Sequence, residues 1–253
     1  LSAFISDLPA KTRMKDFPKY LENRARALKN LFIFTGKEAD VDFVKTLNPD
    51  IIVNATGSVP LLPPIKGLKE NLEAGNVASI FDMINNYNAG KYPDEACAGK
   101  KVVVIGGGAV GLDVIEYFAP RGAECTIVDM LPGIGMLSDP ITKCQTAECF
   151  EKHGVVQHVN TALQEVKANA FEVKLPDGTI TDLEFDYGFM CLGMRANNPV
   201  LPALQEEYDG TDVVVYTIGD SVRARRIIEG TREGRDILNV LENNGYLDIN
   251  VTL

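Results

Sequence analysis

Residues 101–129 impose the tightest constraint on what this chain can fold into. Val102 to Ile105 form a continuous apolar, β-branched run, the mark of a strand buried on both faces of a parallel sheet. The glycine turn GGGAVG follows directly, then a helical stretch, LDVIEYFAPRG, and a second strand, ECTIVD. Gly106, Gly108 and Gly111 thus make G-x-G-x-x-G at the point where strand gives way to helix. In that pattern the first glycine permits the tight turn and the second lets the backbone approach a pyrophosphate. The third lets the helix pack closely on the strand. Gly107, Ala109 and Val110 complete the candidate phosphate-facing set, because a helix N-terminus offers unpaired N–H groups and a partial positive charge.

Asp129 closes the second strand 23 residues after Gly106, where an acidic residue is expected to meet an adenosine ribose. A carboxylate there accepts ribose hydroxyls and repels the additional phosphate of NADP. Met130 and the residues after it, LPGIG, supply no Arg or Lys to hold such a phosphate. NAD(H) is therefore the expected nucleotide. Two plainer readings compete: a glycine turn that binds nothing, and a solvated acid at a strand end.

The 253 residues suffice for two medium domains or one large one, and the composition, 45% hydrophobic and 24% charged, is that of a globular chain. A net charge of −10 argues against nucleic-acid or anionic-membrane partners, which repel a negative surface. No apolar run has the length of a membrane span, and no basic-then-apolar signal segment opens the chain. Cys97, Cys125, Cys144, Cys149 and Cys191 are odd in number and contain no CxxC pair, which suits reduced thiols and a cytoplasmic location. His153 and His158 are the only histidines, which excludes a histidine-rich metal site. Zinc through Cys144 and Cys149 is disfavoured, because five-residue spacing sets two thiols on diverging faces of a helix.

Elsewhere the pattern predicts an amphipathic helix over 16–30, a short strand over 31–36, a helix over about 40–47 and a strand over 51–57. Residues 59–68 read as an extended, proline-rich connection, and about 84–99 as a linker or domain boundary. A helix over 139–152, closed by Gly154, precedes strands at 163–166, 171–175 and 180–185. The Asp177-Gly178 turn joins the last two as an antiparallel hairpin. A buried strand over 189–192 ends at Gly193, echoing the strand that ends at Gly57, and a final strand over 213–220 leads into a helix from about 221 to 243. The chain opens at Leu1 without a methionine and reads at once as mid-domain sequence, so a piece of something larger is expected.

The segments PDIIVNATGS, DYGFMCLGMRANN and VVVYTIGDSVRARRIIEGTREG lie in that order around the βαβ unit. Together with the glycine turn they resemble the two-dinucleotide-binding-domain flavoproteins, most closely the reductase portion of 2-enoate reductases and 2,4-dienoyl-CoA reductases, with NADH oxidases as relatives. The resemblance covers nearly the whole chain. It implies an α/β fold in which a Rossmann-like NAD domain, with a parallel sheet and an antiparallel β-meander, is inserted in a truncated FAD-type α/β domain. The expected parts are a partial FAD-type domain and linker over 1–96, the NAD domain over 97–194 and a return segment over 195–253. Thr56 and Gly57 would lie at the crossover beside the flavin, Gly193 at its counterpart, and Gly219 and Asp220 against the ribityl and pyrophosphate region. Asp220 also reads simply as a cap of the final helix. Asp113 falls where the family usually has a longer glutamate near the nicotinamide.

The implied activity is hydride transfer from NADH to FAD and onward to an enoate- or enoyl-type reduction site outside this chain. The partner would be the missing FAD and FMN-barrel portion of a parent polypeptide. No G-x-G-x-x-G precedes residue 57, so the isolated chain is expected to hold FAD poorly or not at all. The FMN barrel and 4Fe–4S cluster of larger members have no room here. Thioredoxin-reductase-like relatives carry a dithiol just before the NAD-domain strand, where this sequence has only Cys97, so a disulfide-reductase function is disfavoured. A pyridine nucleotide-disulfide oxidoreductase relative stays open, because other relatives keep their dithiol in the N-terminal part. Other open readings are a non-catalytic NAD-binding fragment and, for Arg223, Arg225, Arg226, Arg232 and Arg235, either contact with an anionic group or a solvated outer face.

Overall fold

The computed structural model describes residues 5–246. In chain order the first elements are α1 (Asp16–Arg26), α2 (Val41–Thr46), β1 (Ile51–Asn54), β2 (Ser58–Pro60), α3 (Leu68–Glu73), β3 (Val77–Ser79), α4 (Ile80–Asn88) and α5 (Asp94–Cys97). Next come β4 (Lys101–Ile105), α6 (Ala109–Phe118), β5 (Glu124–Val128), α7 (Pro140–His153), β6 (Val156–His158), β7 (Ala162–Val166), β8 (Ala170–Lys174) and β9 (Ile180–Glu184). The chain ends with β10 (Tyr187–Met190), β11 (Met194–Ala196), α8 (Leu201–Glu207), β12 (Val214–Thr217) and α9 (Ile227–Asn243). Two compact units result: residues up to Leu31 with Pro60–Gly193, and Phe32–Val59 with the chain from Met194 onward.

The larger unit is built on a five-stranded parallel sheet in the order β3-β10-β4-β5-β6. Alternation along β4 explains why its sequence is uniformly apolar. Val102 and Val104 enter one core with Ile115 and Phe118 of α6, Met83 and Ile84 of α4, and Phe150 of α7. Val103 and Ile105 enter a second core with Phe171, Val173 and Phe185 from the antiparallel meander β7-β8-β9. Helices therefore cover one face of the sheet and the meander the other, as a two-residue side-chain period requires. The expected hairpin is present: β8 and β9 pair antiparallel from Ala170–Glu184 to Lys174–Ile180. The helix over 140–153 is capped by Asp139, whose carboxylate accepts from Ile141 and Thr142, and it stops at Gly154 with a left-handed backbone.

Two expected elements are corrected. Residues 84–99 are no linker: α4 begins with a capping box between Ser79 and Asp82, and Ile84, Tyr92 and Cys97 are buried. The Asn and Gly content that suggested a linker occupies the outer face and end of that helix. Residues 31–36 form no strand, because no described residue pairs with them, and Phe32 is 78% exposed. The helix expected over 16–30 ends at Arg26 and buries none of its residues. Ahead of it, Ile5 and Leu8 reach the core and fasten this segment to the larger unit.

The smaller unit holds the parallel pair β1–β12, registered from Ile51–Val214 to Asn54–Thr217, and the two-stranded ribbon β2–β11. Lys45 of α2 forms an ion pair with Glu207 of α8.

Candidate functional site

The glycine turn sits at the carboxyl ends of β4 and β5, beside the loop that leaves β10. Gly106 has φ +108°, and a Cβ there would lie 2.2 Å from the Cys191 carbonyl oxygen, so both conformation and space demand glycine. A Cβ on Gly111 would lie 1.9 Å from the Gly106 carbonyl oxygen, which is the close helix-to-turn approach expected of the third glycine. Gly108, the N-cap of α6, faces open space, with nothing within 4 Å of an added Cβ. The amides that open α6, including those of Ala109 and Val110, have no carbonyl partner inside the helix. Open space before a glycine and a fan of free amides are what an anionic dinucleotide requires.

Asp129 is held against this turn. Its Oδ2 accepts the Gly107 amide at 2.6 Å, and its Oδ1 accepts the Leu131 amide at 2.8 Å. The sequence expectation has this carboxylate accept ribose hydroxyls. Backbone amides already take one acceptor position on each, so a ribose has only the remaining lone pairs. A Cβ on Gly107 would meet Asp129 Oδ2 at 3.0 Å and Ile134 Cδ1 at 2.7 Å. Met130, next in sequence, is 71% exposed.

Asp113 lies on α6 and bonds Lys11 at 2.9 Å, while Lys11 also bonds Glu116 at 2.6 Å. Burial holds the Asp113 carboxyl above its usual value despite that cation. Burial also pulls on the Lys11 ammonium, but its two carboxylate partners outweigh this and the net direction is upward. Nothing in the sequence pattern pointed to Lys11, which lies 102 residues from Asp113. Gly193 ends the loop after β10 with φ +96°, and its carbonyl accepts from Leu61 at 2.9 Å.

The flavin candidates of the smaller unit are drawn together by residues that no motif flagged. The Thr56 hydroxyl donates to the Asn197 carbonyl, and the Gly57 amide donates to Ser221 Oγ at 2.9 Å. Asn54 Nδ2 donates to Asn198 Oδ1, and Asn198 Nδ2 to the Ser221 carbonyl. Asp220 accepts the Arg225 amide at 3.0 Å and the Ser58 hydroxyl at 3.2 Å. The Gly219 amide donates to Glu233 Oε2 at 2.6 Å. Asp220 keeps carboxylate lone pairs for a further hydroxyl donor beyond its bonds to Arg225 and Ser58, while the described residues of this unit supply no glycine-rich pyrophosphate cradle. Of the five arginines, Arg223, Arg226, Arg232 and Arg235 are exposed and only Arg225 turns inward.

No cysteine among the described residues is in a disulfide. Burial pushes the Cys125 thiol up to about 12 and Cys191 upward as well. Among the described residues no three His, Cys, Asp or Glu side chains are grouped so as to hold a metal ion, and no helix is long and apolar enough to cross a membrane.

Sheet order, glycine turn and strand-end acid together define an α/β dinucleotide-binding protein. The sequence pattern of the pyridine nucleotide-disulphide oxidoreductases matches residues 20–222, and the chain belongs to that family. Members of that family are flavin-dependent oxidoreductases that use a pyridine nucleotide and FAD. The chain is 30% identical over 234 residues to a bilirubin reductase of Mediterraneibacter gnavus, covering 92% of this chain and 34% of that protein. It is 29% identical over 227 residues to an NADH oxidase of Thermoanaerobacter brockii, covering 89% and 33%. It therefore spans about a third of the length of these curated relatives. Among solved structures, a 2-naphthoyl-CoA reductase superposes with a TM-score of 0.75 at 24% identity, over 92% of this chain and 33% of the other. Histamine dehydrogenase from Rhizobium sp. 4-9 superposes at 0.73 and 17% identity, over 100% and 39%. Both show the fold.

Proposed function

We propose that this chain is the NAD(H)-binding reductase portion of a flavoprotein that delivers electrons to an enoate- or enoyl-type reduction site outside it. The carrying observation is Asp129 braced against Gly107 beside an open, amide-lined turn, an arrangement with a purpose in binding the adenosine half of NADH. The free amides of α6 receive the pyrophosphate, Asp129 the ribose, and Met130 borders the adenosine. In the smaller unit Asp220 accepts a ribityl hydroxyl with Gly219 beside it against the pyrophosphate region, and Thr56 and Gly57 form the crossover. Gly193, in the larger unit, is a further cofactor contact. When bound, NADH and FAD supply the hydride donor and acceptor; the chain's own residues bind and orient them. No acid, base or nucleophile is required of it.

The domain arrangement that goes with this reading is an NAD domain inserted in an FAD-type domain, completed by FAD and FMN-barrel portions of a longer polypeptide that also carries a 4Fe–4S cluster. The relatives named as a bilirubin reductase and an NADH oxidase support a reductase fed by a nicotinamide nucleotide.

A second reading, a fragment that binds NADH and catalyses nothing, is favoured by the lack of a pyrophosphate cradle among the described residues of the smaller unit. A visible spectrum of the purified chain under anaerobic conditions, before and after NADH, separates the two. Flavin bands that bleach on addition establish the reductase; a featureless spectrum with NADH binding intact establishes the fragment.

A further inference from the structure

In the smaller unit, a carboxylate accepts the amide of Gly219, the residue that the flavin reading sets beside Asp220. Gly219 has φ +65°, so its turn is one that L side chains rarely adopt. Its amide donates to Glu233 Oε2 at 2.6 Å, and Arg225 Nη2 bonds Glu233 at 2.6 Å to Oε1 and 2.8 Å to Oε2. Arg225 Nη2 also reaches the Gly219 carbonyl at 3.2 Å, and the Arg225 amide reaches Asp220 at 3.0 Å. One arginine thus holds the turn through backbone, carboxylate and its own main chain.

We infer that Glu233 is the internal anion that presets the Gly219–Asp220 turn, and that Arg225 is the counter-charge that lets this turn accept an anionic cofactor. Both are positioning residues, and the inference rests on the flavin reading of the smaller unit. An unpaired carboxylate beside FAD would repel it, whereas the paired one is electrically silent and still orders the amide. Of the ion pairs around α9, this one is built into the fold: Glu233 and Arg225 side chains are 32% and 21% exposed, whereas Arg226 and Arg235 are about three-quarters exposed. The Gly219 amide, with Arg225 behind it, holds the Glu233 carboxyl below its usual value. The charges that reach Glu233 are Arg225 and Glu229.

The charge logic sets an order among variants that loss of structure alone does not reproduce. FAD binding to the chain is titrated by flavin fluorescence at low ionic strength. Arg225→Gln is expected to weaken binding about tenfold or more. Glu233→Gln keeps an acceptor for Gly219 and removes the negative charge, so it binds as tightly as the parent or more tightly. Glu233→Ala loses the acceptor and weakens binding. The double variant Arg225→Gln/Glu233→Gln recovers most of what Arg225→Gln lost. Equal weakening in the single Arg225 variant and the double, or none in either, overturns the inference.

If the parent chain takes up no FAD, the flavin reading fails for this chain by itself, and the Gly219 amide proton in its NMR spectrum decides the clamp. A resonance that shifts on acidification and loses that titration in Glu233→Gln supports the clamp. A Gly219 resonance indifferent to Glu233 overturns it.

Discussion

The amide of Gly107 and the carboxylate of Asp129 are 2.6 Å apart, although 22 residues separate them in the chain. Asp129 is therefore part of the glycine turn as well as a candidate ligand to ribose. Asp129→Ala is expected to weaken NADH binding about ten- to a hundredfold, the worth of hydrogen bonds to a charged acceptor. Calorimetric titration of the purified variant measures this, with circular dichroism as the check on folding. An unchanged affinity in a folded protein removes Asp129 from the nucleotide site.

Gly108 and Gly111 belong to one motif yet should respond oppositely to alanine. At Gly111 the new Cβ would lie 1.9 Å from a backbone oxygen that has nowhere to move, so a loss of roughly 1–3 kcal/mol or more of stability is expected. At Gly108 nothing lies within 4 Å, so the fold should be unaffected while the methyl intrudes where the pyrophosphate approaches. Thermal melts paired with NADH titrations read both quantities. Reduced stability in Gly108→Ala with full NADH affinity would reverse the assignment.

The five cysteines divide by burial. Cys97, Cys125 and Cys191 are buried and burial raises each thiol, whereas Cys144 is exposed on α7. A disulfide-forming aromatic reagent at mildly alkaline pH is expected to modify Cys144 rapidly in the native chain, the half-buried Cys149, whose thiol burial also raises, more slowly, and the buried three only after denaturation. Cys144→Ser should abolish the fast phase; its survival would place an open thiol elsewhere.

Acid stability should depend on Asp186. Its carboxylate accepts the Lys101 amide at 2.9 Å and pairs with Lys100 at 3.0 Å, and these hold its pKa below the usual value. A folded-state pKa that is depressed adds stability above the unfolded value, about 3.9, and that stability is lost as pH falls through the folded value. Asp186→Asn is therefore expected to melt lower than the parent near neutrality, with the gap closing in acid. A gap that is constant with pH would show that the ionised form contributes nothing.

The central βαβ unit was legible because its signals are local. Four consecutive apolar residues mark β4 as a doubly covered strand, and the glycine spacing reports a backbone geometry confined to a few residues. The same holds for the turn at Gly178 and the stop at Gly154, where a left-handed conformation is a property of one residue. Residues 31–36 misled for the complementary reason. LFIF has the composition of a strand, but a strand exists only with a partner, and among the described residues none supplies one. The stretch 84–99 misled because Asn and Gly report local preference, while the burial of Ile84, Tyr92 and Cys97 is decided by the sheet and helices around them.

By itself, then, the amino-acid order determined the dinucleotide turn, its acid at the strand end and the hairpin of the meander, all set by interactions within about thirty residues. Only the tertiary structure decided that Lys11 pairs with Asp113, that Ser221 caps Gly57 and that Glu233 takes the Gly219 amide. Those pairings join segments whose separation leaves no periodicity to read. Their energies come from charge and hydrogen bonding across distances that exist only once the chain has packed.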